Sequence, residues 1–438
     1  MNYNKFFELA KQAGIEEAEI FISTSYSLSF SLFHGEIEKY SVEESTNYDA
    51  RGIINGKLGS VHSNIYNNET AEYFVKEILA NASVIETDDP VFLFKGSEKY
   101  KKVSTFNKDL GTIPVDEKIA KLYEIEKKIK EADERIVEVE GVDYAESSSS
   151  ITLINSYGLK LTQKSNDFQY VAAAVAKQGE QVKTGYDYIF GNDFSKFNVD
   201  ELVEKVVKST VEQLGGEPCK SKGYKAILSQ EVVSSLLRAY IGNANAEKVQ
   251  KKSSLFIDKV GQQIASKKLT VEDTPLAKTV FARWFDDEGV ATYNKAIIKN
   301  GVLQTYLHNL STATKAGTTT TANGFGSGKV GIAPTYLKVK PGKLSLDQLF
   351  EKVGNGIYIT SVAGIHAGLN PQSGNFSLQA NGFLVENGKK TTPVDLITIG
   401  GNLLELFNNI AVVGGDTKEL IGMSTPSLVI KKIKVSGK

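Results

Sequence analysis

The stretch EAEIFISTSYSLSFSLFHGEIEKYSVEES, residues 17–45, decides the fold class. Leu28, Phe30 and Leu32 alternate with serines, the two-residue period of a strand with one buried face and one polar face. His34-Gly35 interrupts the alternation as a tight hairpin turn, and Ile37 to Val42 resume it. On the N-terminal side, NKFFELAKQA (residues 4–13) puts Phe6, Phe7, Leu9 and Ala10 on one helical face, closed by Gly14. On the C-terminal side, NYDARGIINGKLGSVHSN predicts a third and fourth strand turning at Asn55-Gly56. TAEYFVKEILANAS (70–83) then predicts an amphipathic helix with Thr70 as its N-cap.

A loosely similar order returns downstream, without a register of identical residues. Residues 84–112, with Asp88-Asp89-Pro90 and several lysines, predict a linker. PVDEKIAKLYEIEKKIKEADERI starts a helix with Pro114 at its first turn. Alternating segments follow, turning at Tyr157-Gly158 and Gln178-Gly179. A helix from Asp200 points Leu202, Val203, Val206, Val207, Val211 and Leu214 inward until Gly215-Gly216. Beyond it, KAILS predicts a strand, and short strands broken by Gly and Asn continue, with helices near SLDQLFEKV and NLLELFNNI. The expected fold is α+β: two small helix-plus-antiparallel-sheet units, residues 1–90 and 112–217, followed by a larger Gly-rich, mainly antiparallel β C-terminal domain, residues 222–438.

Composition excludes several function classes. Lys+Arg of 51 against Asp+Glu of 52 leaves a net charge of −1, without the basic stripe of a general nucleic-acid binder. The lone Cys219 rules out an internal disulfide and a multi-thiolate metal site, and fits a reducing compartment. No apolar run approaches the roughly 18 residues of a membrane span, and the N-terminal pattern is not that of a signal peptide. The expected setting is the cytoplasm, with neither membrane nor nucleic acid as partner.

Searches for chemistry by motif return bland readings. His34, His62, His308 and His366 are scattered, and none has a second ligand at helical spacing. His34 and His62 fall at strand ends, as surface or edge residues do. Ser373, near His366, lies in a turn between strands rather than on a nucleophile elbow. Cys219 reads as a free loop thiol. In GFGSGKVG (324–331), Lys329 is followed by Val330 and then a strand, the wrong order for a phosphate loop. A flexible loop that covers or lines a groove is the better expectation.

Two long stretches carry a resemblance. FDDEGVATYNKAIIKNGVLQTYLHNLSTATKAG (285–317) and GLNPQSGNFSLQANGFLVENGKKTTPVDLITIGGNLLELFNNIAVVGGD (368–416) resemble the TldD/PmbA family, which is linked to a cytoplasmic zinc metallopeptidase. The region from EAEIFIS to DARGIINGKLGSV resembles the family's N-terminal domain more loosely. In the TldD kind of subunit, the resemblance implies a helix reading HEAIGH, with a C-terminal Cys completing the zinc site. Laid on LLRAYIGNANAEKV (236–249), that motif puts Arg238 and Asn243 at the histidine positions and Ala239 at the glutamate, with Ile241 and Gly242 matching. Arg has no lone pair to give, Asn is a poor zinc ligand and Ala accepts no proton. The segment GGDTKELIGMSTPSLVIKKI holds no cysteine.

The resemblance therefore implies a PmbA (TldE) kind of subunit, with no catalytic residue and no metal of its own. Zinc is expected only in a TldD-like HExxxH partner, bound as a heterodimer, and unfolded peptide is the expected substrate. Asn370, Asn375 and Phe376, in the specific 368–416 block, are the substrate-groove candidates. Asn375 stands where the family usually shows Asp, which removes any acid role there. The rival expectation is a homodimeric interaction protein without a role in proteolysis, such as a topoisomerase modulator.

Overall fold

The alternating stretch that opens the chain forms two strands far longer than the usual five or six residues. β1 spans Glu17–Phe33 and β2 spans Glu36–Ile54 in the computed structural model, which describes residues 3–86 and 91–438. Asp88-Asp89-Pro90 of the expected linker lies outside the described residues. Sequence predicts two strands where β2 runs unbroken. The polar SVEEST in its middle contains no Gly or Pro, so nothing stops the period-two pattern. β3 (Lys57–Ser63) completes the meander after the expected Asn55-Gly56 turn, where Asn55 has φ +52°.

Helices α1 (Asn4–Gln12) and α2 (Asn68–Ser83) flank these strands. The N-cap of α2 is Asn67, not Thr70. The Asn67 side chain accepts from the Thr70 amide at 2.8 Å, and Thr70 Oγ1 answers the Asn67 amide, a reciprocal box that places Thr70 three residues inside. The next segment repeats the order: α3 (Val115–Ala132), β4 (Ile136–Asn155), β5 (Lys160–Gln178), β6 (Gln181–Gly191) and α4 (Val199–Val211). Pro114 is the residue just before α3, and Asn198 caps α4.

The two sets of strands form one sheet of order β3-β2-β1-β4-β5-β6. β1 and β4 pair antiparallel from Glu19↔Asn155 to Leu32↔Val142, joining the halves back to back. All four helices cover the same face. Ile20 and Ile22 pack with Phe6, Phe74 and Ile78 at one end, while Leu28 and Phe30 pack with Leu122, Ile125 and Leu202 at the other. Each buried aliphatic or aromatic side chain contributes about 1.5–3 kcal/mol.

The C-terminal part seats on the opposite face. There Phe21, Leu153 and Leu161 pack with Trp284 and Phe285. Its first strand, β7 (Lys222–Leu228), pairs in parallel with Gly356–Ala363 and antiparallel with Leu428–Ser436. Strands Asn375–Glu386 and Lys389–Asn402 extend the sheet, and pairing of Lys389–Asn402 with Leu428–Ser436 closes it on itself. A second sheet of short strands lies beside it. Among the described residues, no helix is long and apolar enough to cross a membrane.

Candidate functional site

β7 feeds α5 (Gln230–Ile241), the helix that carries the degenerate motif. Ser229 caps it, and Val232, Val233, Leu236, Leu237, Tyr240 and Ile241 are buried against the closed sheet and its neighbour. Tyr240 stacks on Phe407 at 4.5 Å between centroids, and its hydroxyl donates to the Ile264 carbonyl. The helix ends at Gly242 and a single tight turn, Gly242–Ala244.

Each motif position is taken up by the fold. Arg238 Nε donates to Ser234 Oγ at 3.3 Å, and its Nη2 donates to the Ile421 carbonyl. Its guanidinium lies against Gly422, which has φ +68°. Burial lowers the Arg238 pKa, with Tyr188 opposing. Ala239 packs on the core. Asn243 is 2% exposed and works as a bracket: Oδ1 accepts from the Leu255 amide at 2.9 Å, and Nδ2 donates back to the Ala239 carbonyl at 3.2 Å. The Asn243 carbonyl also accepts from Ser254 Oγ at 2.6 Å. Asn243→Leu is expected to cost about 1–3 kcal/mol, because the Leu255 N–H loses its acceptor. Urea unfolding followed by circular dichroism measures this, and a cost under about 0.5 kcal/mol would remove the bracket role.

The residues at 238, 239 and 243 do not fit zinc. They offer a permanent cation, a methyl group and a carboxamide already spent on two backbone groups. Among the described residues, no three His, Cys, Asp or Glu side chains gather as a metal-ligand set.

Asn370, Asn375 and Phe376 build a turn. Asn370 Oδ1 accepts from the amides of Gln372 (2.9 Å) and Ser373 (3.0 Å), and Asn375 Oδ1 accepts from Asn402 Nδ2 at 2.9 Å. Phe376 is buried in the C-terminal core, under Gly401. His366 lies on a single exposed turn of helix, and Ser373 Oγ accepts from the Asn375 amide. His34 pairs with Glu138 and His62 with Asp49, both well exposed, as strand-end positions predict.

No catalytic or ligand motif in the sequence singles out the FDDEG run, residues 285–289. Asp286 accepts from the amides of Glu288, Val290 and Gly324, Asp287 from Gly326, and Glu288 from Leu310. These carboxylates hold the GFGSGKVG loop, which forms a small hairpin between Gly324–Phe325 and Gly331–Ile332 and is followed by no helix. Burial, opposed by the three backbone amides, pushes Asp286 up to about 6. Burial reinforced by Asp286 pushes Glu288 up to about 8. Across the domain boundary lies the buried pair Arg51–Glu19, with Nη2 to Oε1 at 2.6 Å, and Arg51 also feels Glu288 and Asp286.

Three family models tile the chain: domain 1 of the PmbA/TldA metallopeptidases over residues 18–82, the central domain over 108–214 and the C-terminal domain over 221–437. The chain belongs to the PmbA/TldD family. A Haemophilus influenzae relative named as a metalloprotease PmbA homolog is 28% identical, over 98% of this chain and 94% of its own length. A solved Thermotoga maritima family member, described as a candidate modulator of DNA gyrase, superposes with a TM-score of 0.93 at 30% identity, covering 99% of both chains. TldE of Thermococcus kodakarensis shares the fold, with a TM-score of 0.91 at 24% identity over 99% of this chain and all of its own.

Proposed function

We propose that this PmbA/TldD-family chain is a non-catalytic, TldE-like subunit that works with a HExxxH-bearing TldD-like partner in a zinc peptidase acting on unfolded peptides. Its contribution is scaffold and substrate groove. The observation that carries this reading is the use of the motif helix. Arg238 ties α5 to the turn at Ile421-Gly422, and Asn243 ties its end to the following loop, so the helix holds architecture where hydrolysis needs ligands and a base. Family membership supports it, as does the metalloprotease name of the Haemophilus relative.

The test is hydrolysis of a fluorogenic unfolded peptide by the chain alone, by a TldD-like subunit alone, and by both together. The expected result is no turnover by this chain alone and a chelator-sensitive rate for the mixture that exceeds the partner's own. Chelator-sensitive cleavage by the purified chain by itself would overturn the assignment. A self-dimer on size exclusion that ignores the HExxxH subunit would instead point to an interaction protein outside proteolysis.

A further inference from the structure

The helix-free face of the long sheet is paved with hydroxyls. In β1, Ser23, Ser25, Ser27, Ser29 and Ser31 alternate with the residues that face the helices. Across strands, Ser149 and Ser165 share a hydrogen bond of 2.8 Å, Ser25 and Ser45 another of 2.8 Å, and Ser147 Oγ donates to Asp167 at 2.6 Å. Where the C-terminal domain overhangs this face, a cavity of about 360 Å³ opens. That volume is in the range of small-ligand sites.

The cavity has a polar floor and apolar walls. Ser149, Ile151 and Ser165 line it from the sheet, and Phe281, Phe325 and Pro334 from the C-terminal domain. The walls are held in place. Gln163 Nε2 donates to the Ala282 carbonyl while its Oε1 accepts from the Trp284 amide, fastening residues 282–284 to the sheet. Phe281 stacks on Tyr336, with rings 5.8 Å apart and 13° from parallel. Arg283 lies over the Phe325 ring at 5.1 Å.

The charge balance selects the ligand class. Arg283 is the cation of the lining, and Asp287 already pairs with it, so a carboxylate or phosphate meets no free counter-charge. Serine hydroxyls both donate and accept, which matches the alternating N–H and C=O groups of an extended backbone. Aromatic walls match one apolar side chain. We infer that this cleft binds an uncharged, extended peptide segment, its backbone over Ser149 and Ser165 and one apolar side chain between Phe281 and Phe325. The inference rests on the peptidase-subunit reading and names the groove within it. A longer peptide leaves the cleft along the Ser147–Asp167 pair, where the hydroxyl paving continues.

Fluorescence anisotropy of the full-length chain with a labelled, uncharged peptide carrying a central phenylalanine tests this directly. Phe325→Ala and Ile151→Asp are each expected to weaken binding at least about tenfold, the loss of one anchor contact. Tyr123→Ala, at an exposed position of α3, is expected to leave it unchanged. Ser165→Cys gives a second readout that requires no destabilising change: saturating peptide is expected to slow its alkylation at least about fivefold, read against the buried Cys219. Wild-type binding with no loss in either cleft variant and no slowing of alkylation overturns the groove but leaves the subunit role standing. The subunit role itself is judged by the partner-stimulated hydrolysis, which is measured separately.

Discussion

Arg51→Met is expected to destabilise the chain by about 3–5 kcal/mol, the cost of stripping the cation from a buried ion pair. Arg51 is 8% exposed and Glu19 1%, and the guanidinium makes two contacts to Glu19 Oε1, at 2.8 Å from Nε and 2.6 Å from Nη2. Burial already raises the Glu19 pKa despite this partner. Without Arg51 the carboxylate has no cation to offset its desolvation. The loss extends across the domain boundary, since Arg51 is also attracted by Glu288 and Asp286. Replacing both members, with Arg51→Met and Glu19→Leu, is expected to recover most of the stability, because the uncompensated charge goes as well. Urea unfolding at pH 7 decides between these outcomes. A single-variant loss below about 1 kcal/mol would show that water reaches the pair.

Glu288→Gln is expected to stabilise the chain at alkaline pH and flatten its pH dependence. Burial, then Asp286, raises the Glu288 carboxyl from 4.5 to about 8. The folded chain keeps a proton that the unfolded chain releases above about pH 4.5. This group therefore withdraws stability as pH rises from about 4.5 to about 8, and no more beyond that. Glutamine keeps an oxygen for the Leu310 amide, which Glu288 Oε2 holds at 2.8 Å, and never ionises. The gain at pH 8 is about 2–4 kcal/mol, discounted for coupling to Asp286. Parallel melting curves for wild type and variant at pH 5 and pH 8 check the sign. A variant that gains as much at pH 5 as at pH 8 would contradict the proton-linked origin.

What sequence reveals here is what is local. The His34-Gly35 and Asn55-Gly56 turns, the inward face of α4 and the short, Gly-broken strands of the C-terminal part all follow from period and punctuation within a few residues. The joining of β1 to β4 does not, because Glu19 and Asn155 share no local signal. Nor does the Arg51–Glu19 pair, which exists only once two strands are in register. The candidate site divides the same way. Positions 238, 239 and 243 are legible through resemblance alone, since α5 by itself is an ordinary amphipathic helix. Asn370, Asn375 and Phe376 sit in a conspicuous block but do not line the cleft. Ser149, Gln163, Phe281, Phe325 and Pro334 come from four separated segments, and only the fold assembles them. The Gly-rich loop expected to line a groove does contribute one wall residue, Phe325.

The back-to-back sheet sets a timetable for synthesis. β1 ends at Phe33 and its second neighbour, β4, begins only at Ile136. At a translation rate of roughly 5–20 residues per second, one flank of β1 waits roughly 5–20 seconds for the strand that completes it. During that interval a nascent chain presents a row of unpaired N–H and C=O groups, the template for edge-to-edge association between chains on neighbouring ribosomes. The serines along β1 limit the hazard, because one face of that flank is hydrophilic. Cutting the chain between its two halves makes the delay permanent. The N-terminal half has its own helices and buried cluster, yet as an isolated fragment it would be held back from aggregation by little more than the polarity of those hydroxyls.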